Sequence, residues 1–283
     1  MKKFFAALGG LAAAAILIIF FFAPAFRGDN EITPVIQLGT FGFRYYGLII
    51  GTAVVVSYFV ARNNAWRFGI AKDEVDKFSF WAIIVAFISA RLYFVIFDYG
   101  YYFENPSEIV KIWNGGLSVY GALIGGVIFT ILYARGKIFS AWQLLDLAAL
   151  ALPLGQAIGR FGNFFNYEAY GSPTNLPWRM FVPEEFRGVF LPAEYFHPTF
   201  LYEATADILI FASLWLWRGK IKSGNLFLIY LMAYSAIRFA IEPMRLDSVF
   251  VMGFRADQIM ALIVFLTAGS ILVIRRLKEV KKT

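Results

Sequence analysis

The sequence predicts an all-α, polytopic transmembrane helical bundle. Three observations lead there. Of the 283 residues 60% are hydrophobic, and the mean hydropathy is +0.65, where an average soluble domain is roughly 45–50% apolar. The apolar residues gather into runs close to the ~20 residues that a helix needs to cross the hydrocarbon core. The basic residues alternate between the gaps that separate those runs.

The first run covers residues 4–26, after "MKK" and ending in "APA". That pattern also describes a secretory signal peptide, although the apolar core is long for one and favours a retained helix. Residues 1–26 are therefore read as an N-terminal transmembrane helix or signal segment, and residues 27–283 as the integral membrane domain. The next run, 44–61, is followed by Arg62, Arg67, Lys72 and Lys77; run 78–97 leads outward and run 117–134 returns to Arg135 and Lys137. Run 141–159 leads outward, 198–217 returns to Arg218, Lys220 and Lys222, 224–241 leads outward, and 256–274 returns to Arg275, Arg276 and Lys278. Most of the 26 basic residues thus fall on the side of "MKK". By the positive-inside bias both termini are cytoplasmic if the first helix is retained. The net charge of +7 follows from this topology, without a nucleic-acid partner.

Spacing within the runs is informative too. Gly121 and Gly125, and Gly155 and Gly159, have the small-xxx-small separation that lets helices approach closely, and bundle packing is the expected reason. With no cysteine and His197 as the single histidine, thiolate and multi-histidine metal sites and a cysteine nucleophile are excluded. An attacking thiol would have to come from a partner.

Charged residues inside the bilayer cost roughly 2.5–3.5 kcal/mol on insertion scales and usually face a cavity or a partner. Arg91, Arg160 and Arg238 are the candidates. Arg238 and Glu242 are spaced i,i+4, with Tyr234 one turn earlier. Either they form an internal ion pair, or Glu242 orients Arg238 toward an anion, for which the planar guanidinium fork is suited. In "GRFGNFFNYEAYG", residues 159–171, the glycines permit a tight or re-entrant backbone and Asn163 and Asn166 can satisfy released peptide groups. A turn alone leaves Arg160 and Glu168 unexplained. "HPTFLYEA" puts His197 at an outer interface, with a structural hydrogen bond as the simpler role, and sets Tyr202 and Glu203 at the start of a span. Tyr46 and Tyr120 sit near the outer face, where aromatic belts also occur.

These stretches together resemble the bacterial prolipoprotein diacylglyceryl transferase family. Its G-R-x-G-N-F-x-N-x-E-x-x-G signature is complete in residues 159–171, and "RYYGLIIG", "ARLYFV", "WNGGLSVYG", "HPTFLYEA" and "YSAIRFAIE" follow in the expected order. The similarity covers about residues 36–276, leaving the first helix outside and seven spans within, the number the family has. The resemblance implies transfer of the diacylglyceryl group of phosphatidylglycerol to the lipobox cysteine thiol in a prolipoprotein signal peptide, forming a thioether and releasing glycerol phosphate. It implies a site toward the outer leaflet of the cell's inner (cytoplasmic) membrane, with no metal or organic cofactor. Arg160 and Arg238 are the phosphate-handling pair it implies, and Tyr46, Asn163, Glu168, Gly171, Tyr234 and Glu242 occupy positions needed for activity or site integrity.

One departure concerns the base. Where the family usually has histidine in an H-G-G stretch, this chain reads Tyr120, Gly121, Ala122. Tyrosine, with an ordinary pKa near 10, is a poor base at neutral pH. Tyr120 is expected to hydrogen-bond substrate, with Glu242, His197 or water taking the proton.

Overall fold

A computed structural model describes residues 22–188 and 192–280. In chain order its elements are α1 (Ala23–Arg27), β1 (Val35–Leu38), β2 (Phe41–Arg44), α2 (Tyr45–Asn64), α3 (Lys72–Phe97), α4 (Tyr99–Glu104), α5 (Val119–Tyr133), α6 (Ala141–Phe165), β3 (Met180–Phe181), α7 (Glu184–Arg187), β4 (Tyr195–Phe196), α8 (Thr199–Trp217), α9 (Asn225–Ile241), β5 (Phe250–Val251), β6 (Phe254–Arg255) and α10 (Ala256–Val280). The chain is an all-α, multi-pass membrane protein. Among the described residues α2, α3, α6, α8, α9 and α10 are long and apolar enough to span a bilayer, and α5 is a shorter apolar helix. These seven match the seven runs expected from residue 44 onward. Of the segment 1–26, residues 1–21 lie outside the described residues, and α1 falls in the remainder.

Three helix boundaries run six residues beyond expectation: α10 continues to Val280, and the other two have physical reasons. Helix α3 starts at Lys72, six residues before its apolar run, because Asp73 and Glu74 supply acidic groups to its first turn, where they complement the helix dipole. Helix α6 continues to Phe165 instead of ending at 159. Phe161, Phe164 and Phe165 recur at helical spacing there, and Phe164 is fully buried, so one apolar face carries the helix past Arg160 and Asn163.

The chain packs as two compact units, one made of residues up to 55, 153–210 and 231 onward, the other of 56–152 and 211–230. In the first, Phe164, Phe196, Phe200, Met180 and Val182 form a buried core. Phe26 of α1 lies 5.7 Å from the Phe164 ring, and Phe164 lies 5.3 Å from Phe200. Such ring pairs add about 0.5–1.5 kcal/mol beyond their buried area. The expected glycine-permitted turn after α6 is built otherwise: the left-handed residues are Tyr167 (φ 50°) and Ala169 (φ 56°). Tyr167 is held there by burial and by accepting a 2.8 Å bond from the Ile32 amide. Among the described residues three two-stranded antiparallel sheets, β1–β2, β3–β4 and β5–β6, were not anticipated. The last turns through Met252 and Gly253, both at positive φ, as a two-residue hairpin of this hand requires.

In the second unit α3 and α5 approach closely enough to exclude side chains. A Cβ on Gly121 would lie 2.5 Å from the Ser89 carbonyl oxygen, and one on Gly125 would overlap the Ser89 side chain. This is the bundle packing expected of that glycine pair. Phe80, Trp81, Phe87 and Ile88 of α3 remain exposed, an apolar surface suited to lipid. Asp146, buried in α6, accepts amide bonds from Gly224 (2.5 Å) and Phe227 (2.8 Å), which caps the start of α9.

Candidate active site

Helices α6 and α9 end, and α8 and α10 begin, around one carboxylate of the first unit. Glu203, in the second turn of α8 and 3% exposed in its side chain, touches three guanidinium groups. Its Oε2 is in ion contact with Arg160 Nη2, and its Oε1 lies 3.3 Å from Arg238 Nη1 and 3.0 Å from Arg245 Nη1. Arg160 and Arg238 therefore flank a single anion from opposite oxygens. Their side chains are 20% and 15% exposed, so neither is sealed.

Each arginine has a second tie. Arg160 Nη2 donates to the Tyr234 hydroxyl at 3.2 Å. Arg238 Nη2 lies 2.7 Å from Glu242 Oε2 and in contact with Asp257 Oδ2. The i,i+4 pair anticipated from spacing thus forms, with Asp257 joining it from the first turn of α10. Arg238 at the end of α9 and Asp257 at the start of α10 both complement their helix dipoles. Arg245 grips Asp247 at two points, 2.9 and 2.5 Å. Burial opposes its charge, but the Asp247 bonds and the Glu203 charge prevail and raise its pKa above the ordinary value.

Glu242 is fully buried, and Ser248 donates to its Oε1 at 2.6 Å. Arg255 fastens the same turn by donating to the Glu242 and Arg245 carbonyls at 3.0 and 2.9 Å. The Oε2 atoms of Glu203 and Glu242 meet their arginines without hydrogen-bond alignment. Asp207, one turn beyond Glu203, is 1% exposed and neither of its oxygens has a hydrogen-bond partner among the described residues. It lies within electrostatic reach of Arg160.

The other anticipated residues surround this cluster in part. Asn163 donates to Glu168 Oε1 at 2.9 Å. Tyr46 packs on Gly162, where a Cβ would come within 2.8 Å of its ring, and its phenol feels the charges of Glu168 and Arg160. Gly171 has a packing reason: its amide donates to the His197 carbonyl at 2.8 Å, and a Cβ would lie 2.8 Å from both His197 and Thr199 side chains. His197 Nδ1 is 3.1 Å from the Tyr202 hydroxyl, which accepts from Trp178 Nε1 at 2.7 Å, the structural hydrogen bonding foreseen for a lone interfacial histidine. Tyr120 belongs to the second unit, in the first turn of α5, with its ring 6.5 Å from that of Tyr93. Arg91 belongs there too and bonds to loop carbonyls. Glu203, Arg245, Asp207 and Asp257 were given no role by sequence reasoning. Their signal was an accumulation of charge at the ends of apolar runs, which does not say which charges meet.

The family model described as prolipoprotein diacylglyceryl transferase matches residues 33–274. The chain is 43% identical over 236 residues to the phosphatidylglycerol–prolipoprotein diacylglyceryl transferase of Fervidobacterium nodosum, covering 81% of this chain and 80% of that relative. Similarity to the proteins of the same name from Thermotoga petrophila (42% over 254 residues, 88% and 86% covered) and Listeria welshimeri (41% over 256 residues, 89% and 92% covered) is of the same order. With more than half its length matched by the family model and relatives above 40% identity across most of both chains, this chain belongs to the prolipoprotein diacylglyceryl transferase family.

Proposed function

We propose that this chain transfers the diacylglyceryl group of phosphatidylglycerol to a prolipoprotein, at the lipobox cysteine of its signal peptide, forming a thioether and releasing glycerol phosphate. The observation that carries the reading is the convergence of the partly exposed Arg160 and Arg238 on one buried carboxylate, that of Glu203. The chain has no cysteine, so the sulfur comes from the acceptor.

In this reaction the cysteine sulfur attacks the glycerol carbon that bears the phosphate ester. The carbon–oxygen bond breaks, and its electron pair stays on the departing phosphate oxygen. Preorganised donors stabilise such charge best where water is scarce, and removing one typically costs about 10²–10³ in rate. Arg160 and Arg238 supply the donors; Glu242, fully buried and engaged by Arg238 and Ser248, orients Arg238. Tyr234 steadies Arg160, Asn163, Glu168 and Tyr46 line the approach, and Gly171 with His197 holds the loop beside them. The thiol proton leaves to Glu242, His197 or water. The cations lower the thiol pKa from its usual 8.5 or so and raise the thiolate fraction.

The positive-inside bias of the basic residues supports a site toward the outer leaflet of the cytoplasmic membrane, with both termini cytoplasmic when residues 1–26 are retained as a helix. Purified protein incubated with phosphatidylglycerol and a lipobox peptide should give a diacylglyceryl adduct on cysteine by mass spectrometry, and a Cys-to-Ser peptide should give none. Flux of an anionic solute without a covalent product would point instead to a transporter.

A further inference from the structure

Arg91 is 7% exposed and spends its guanidinium on main chain. Nε donates to the Ile109 carbonyl at 2.9 Å, Nη2 to Glu108 at 2.6 Å, and Nη1 to both Gly115 (2.7 Å) and Gly116 (2.9 Å). All four acceptors belong to the single loop between α4 and α5. Bonds from a charged donor are about twice as strong as neutral ones, and a planar fork reaches several carbonyls at once where an ammonium cannot.

The loop is shaped around that fork. Gly115 and Gly116 sit at φ 89° and 78°, and a Cβ on Gly116 would overlap Arg91 Nη1 and come within 3.0 Å of the Phe94 ring. The neighbouring Ala90 carbonyl accepts the Ser118 amide at 3.1 Å, and Ser118 caps α5 through the Gly121 amide at 3.5 Å. Glu108 is kept ionised by its bonds to Lys111 and Asn114, which hold its carboxyl below the usual range, so its side chain steadies the loop while its carbonyl takes Arg91. Residues 90 and 91 of α3 thus fasten both ends of the segment that leads into Tyr120, two residues past Ser118.

We propose that Arg91 is a positioning residue for the transfer reaction, clasping the 108–118 loop by its carbonyls so that Tyr120 is presented at a fixed place and angle at the start of α5. The inference rests on the reading of Tyr120 as a residue of the reaction. The hydrogen-bond acceptors are neutral carbonyl oxygens, with the Glu108 carboxylate adding only a longer-range attraction, and what matters is the fork. Arg91→Lys keeps the charge and loses the clasp.

The test uses full-length protein in phosphatidylglycerol nanodiscs. In Arg91→Lys, hydrogen exchange should rise at least tenfold in residues 108–118 while α2, α6 and α9 keep their protection, and kcat should fall at least tenfold with little change in KM for the lipid. Gly116→Ala attacks the same clasp from the other side, so the double variant should be no worse than the poorer single one; multiplied losses would overturn the proposal. In a Tyr120→Phe background Arg91→Lys should cost less than threefold more. If Tyr120→Phe alone is fully active, the reading of Tyr120 falls, and the exchange data still report whether the clasp exists. Unchanged exchange in the loop of Arg91→Lys would overturn the clasp itself.

Discussion

Replacing Glu203 by glutamine keeps the shape of the hub and removes its charge, and the surroundings set the cost. Arg238 would keep Glu242 at 2.7 Å and Asp257, and Arg245 would keep its two-point contact with Asp247. Arg160 alone would lose its carboxylate, retaining the neutral Tyr234 hydroxyl at 3.2 Å. The expected penalty is therefore that of one orphaned guanidinium and not of three. Breaking a buried pair costs about 3–5 kcal/mol; with Arg160 20% exposed and Asp207 in electrostatic reach, the lower end, about 3 kcal/mol, applies. Denaturant or thermal unfolding in nanodiscs lacking anionic lipid should show this loss, and added phosphatidylglycerol should recover part of it, because a ligand that binds only the folded state stabilises it. Adding Arg160→Met to Glu203→Gln should relieve the penalty by removing the orphaned charge. A Glu203→Gln protein within about 0.5 kcal/mol of the parent, or strict additivity of the two changes, would refute the hub.

Arg160→Lys retains a cation without the fork, and diacylglyceryl transfer should fall by about 10²–10³ with helical content by circular dichroism unchanged. For Tyr120, the phenylalanine variant should lose activity if the hydroxyl contacts substrate, and Tyr120→His should retain or raise it; full activity in both, measured by adduct formation, excludes Tyr120 as an indispensable base. Gly171→Ala places a Cβ 2.8 Å from two side chains and 3.0 Å from the Met244 carbonyl, so overpacking should cost about 1–3 kcal/mol in an unfolding midpoint.

The spans were legible because hydropathy is local: each of the seven apolar helices described from residue 45 onward coincides with an apolar run. The end of α6 was not, since what carries it through Arg160 is the Phe161–Phe164–Phe165 face, visible only once an aromatic core exists to receive it. Arg238–Glu242 was legible because one helical turn joins them. Glu203 was not legible as a hub, because its three arginines come from α6, α9 and the turn after α9, and only tertiary packing brings these together. The left-handed Tyr167 and Ala169 were hidden for a related reason: glycine signals such a turn in sequence, whereas here burial and the Ile32 bond hold tyrosine where glycine would have been expected.

The charge pattern of the site also orders the two arginines in the reaction. In the proposed reaction a phosphate diester entering between them would meet a position already filled by the Glu203 carboxylate, so lipid binding would exchange one anion for another, with guanidinium desolvation and orientation already met during folding. Arg238 is tied to Glu242 and Asp257 as well as Glu203, and can stabilise a developing charge only from where it stands. Arg160 has one carboxylate contact and one hydroxyl, so in the proposed reaction it is the group that would turn from Glu203 to the headgroup, with Arg245 holding Glu203 in place. Loss of Arg160 should then raise KM for phosphatidylglycerol as well as lower kcat, whereas loss of Arg238 should fall chiefly on kcat; steady-state kinetics across lipid mole fraction separates the two, and the reverse assignment would mean that Arg238 is the group that captures the lipid.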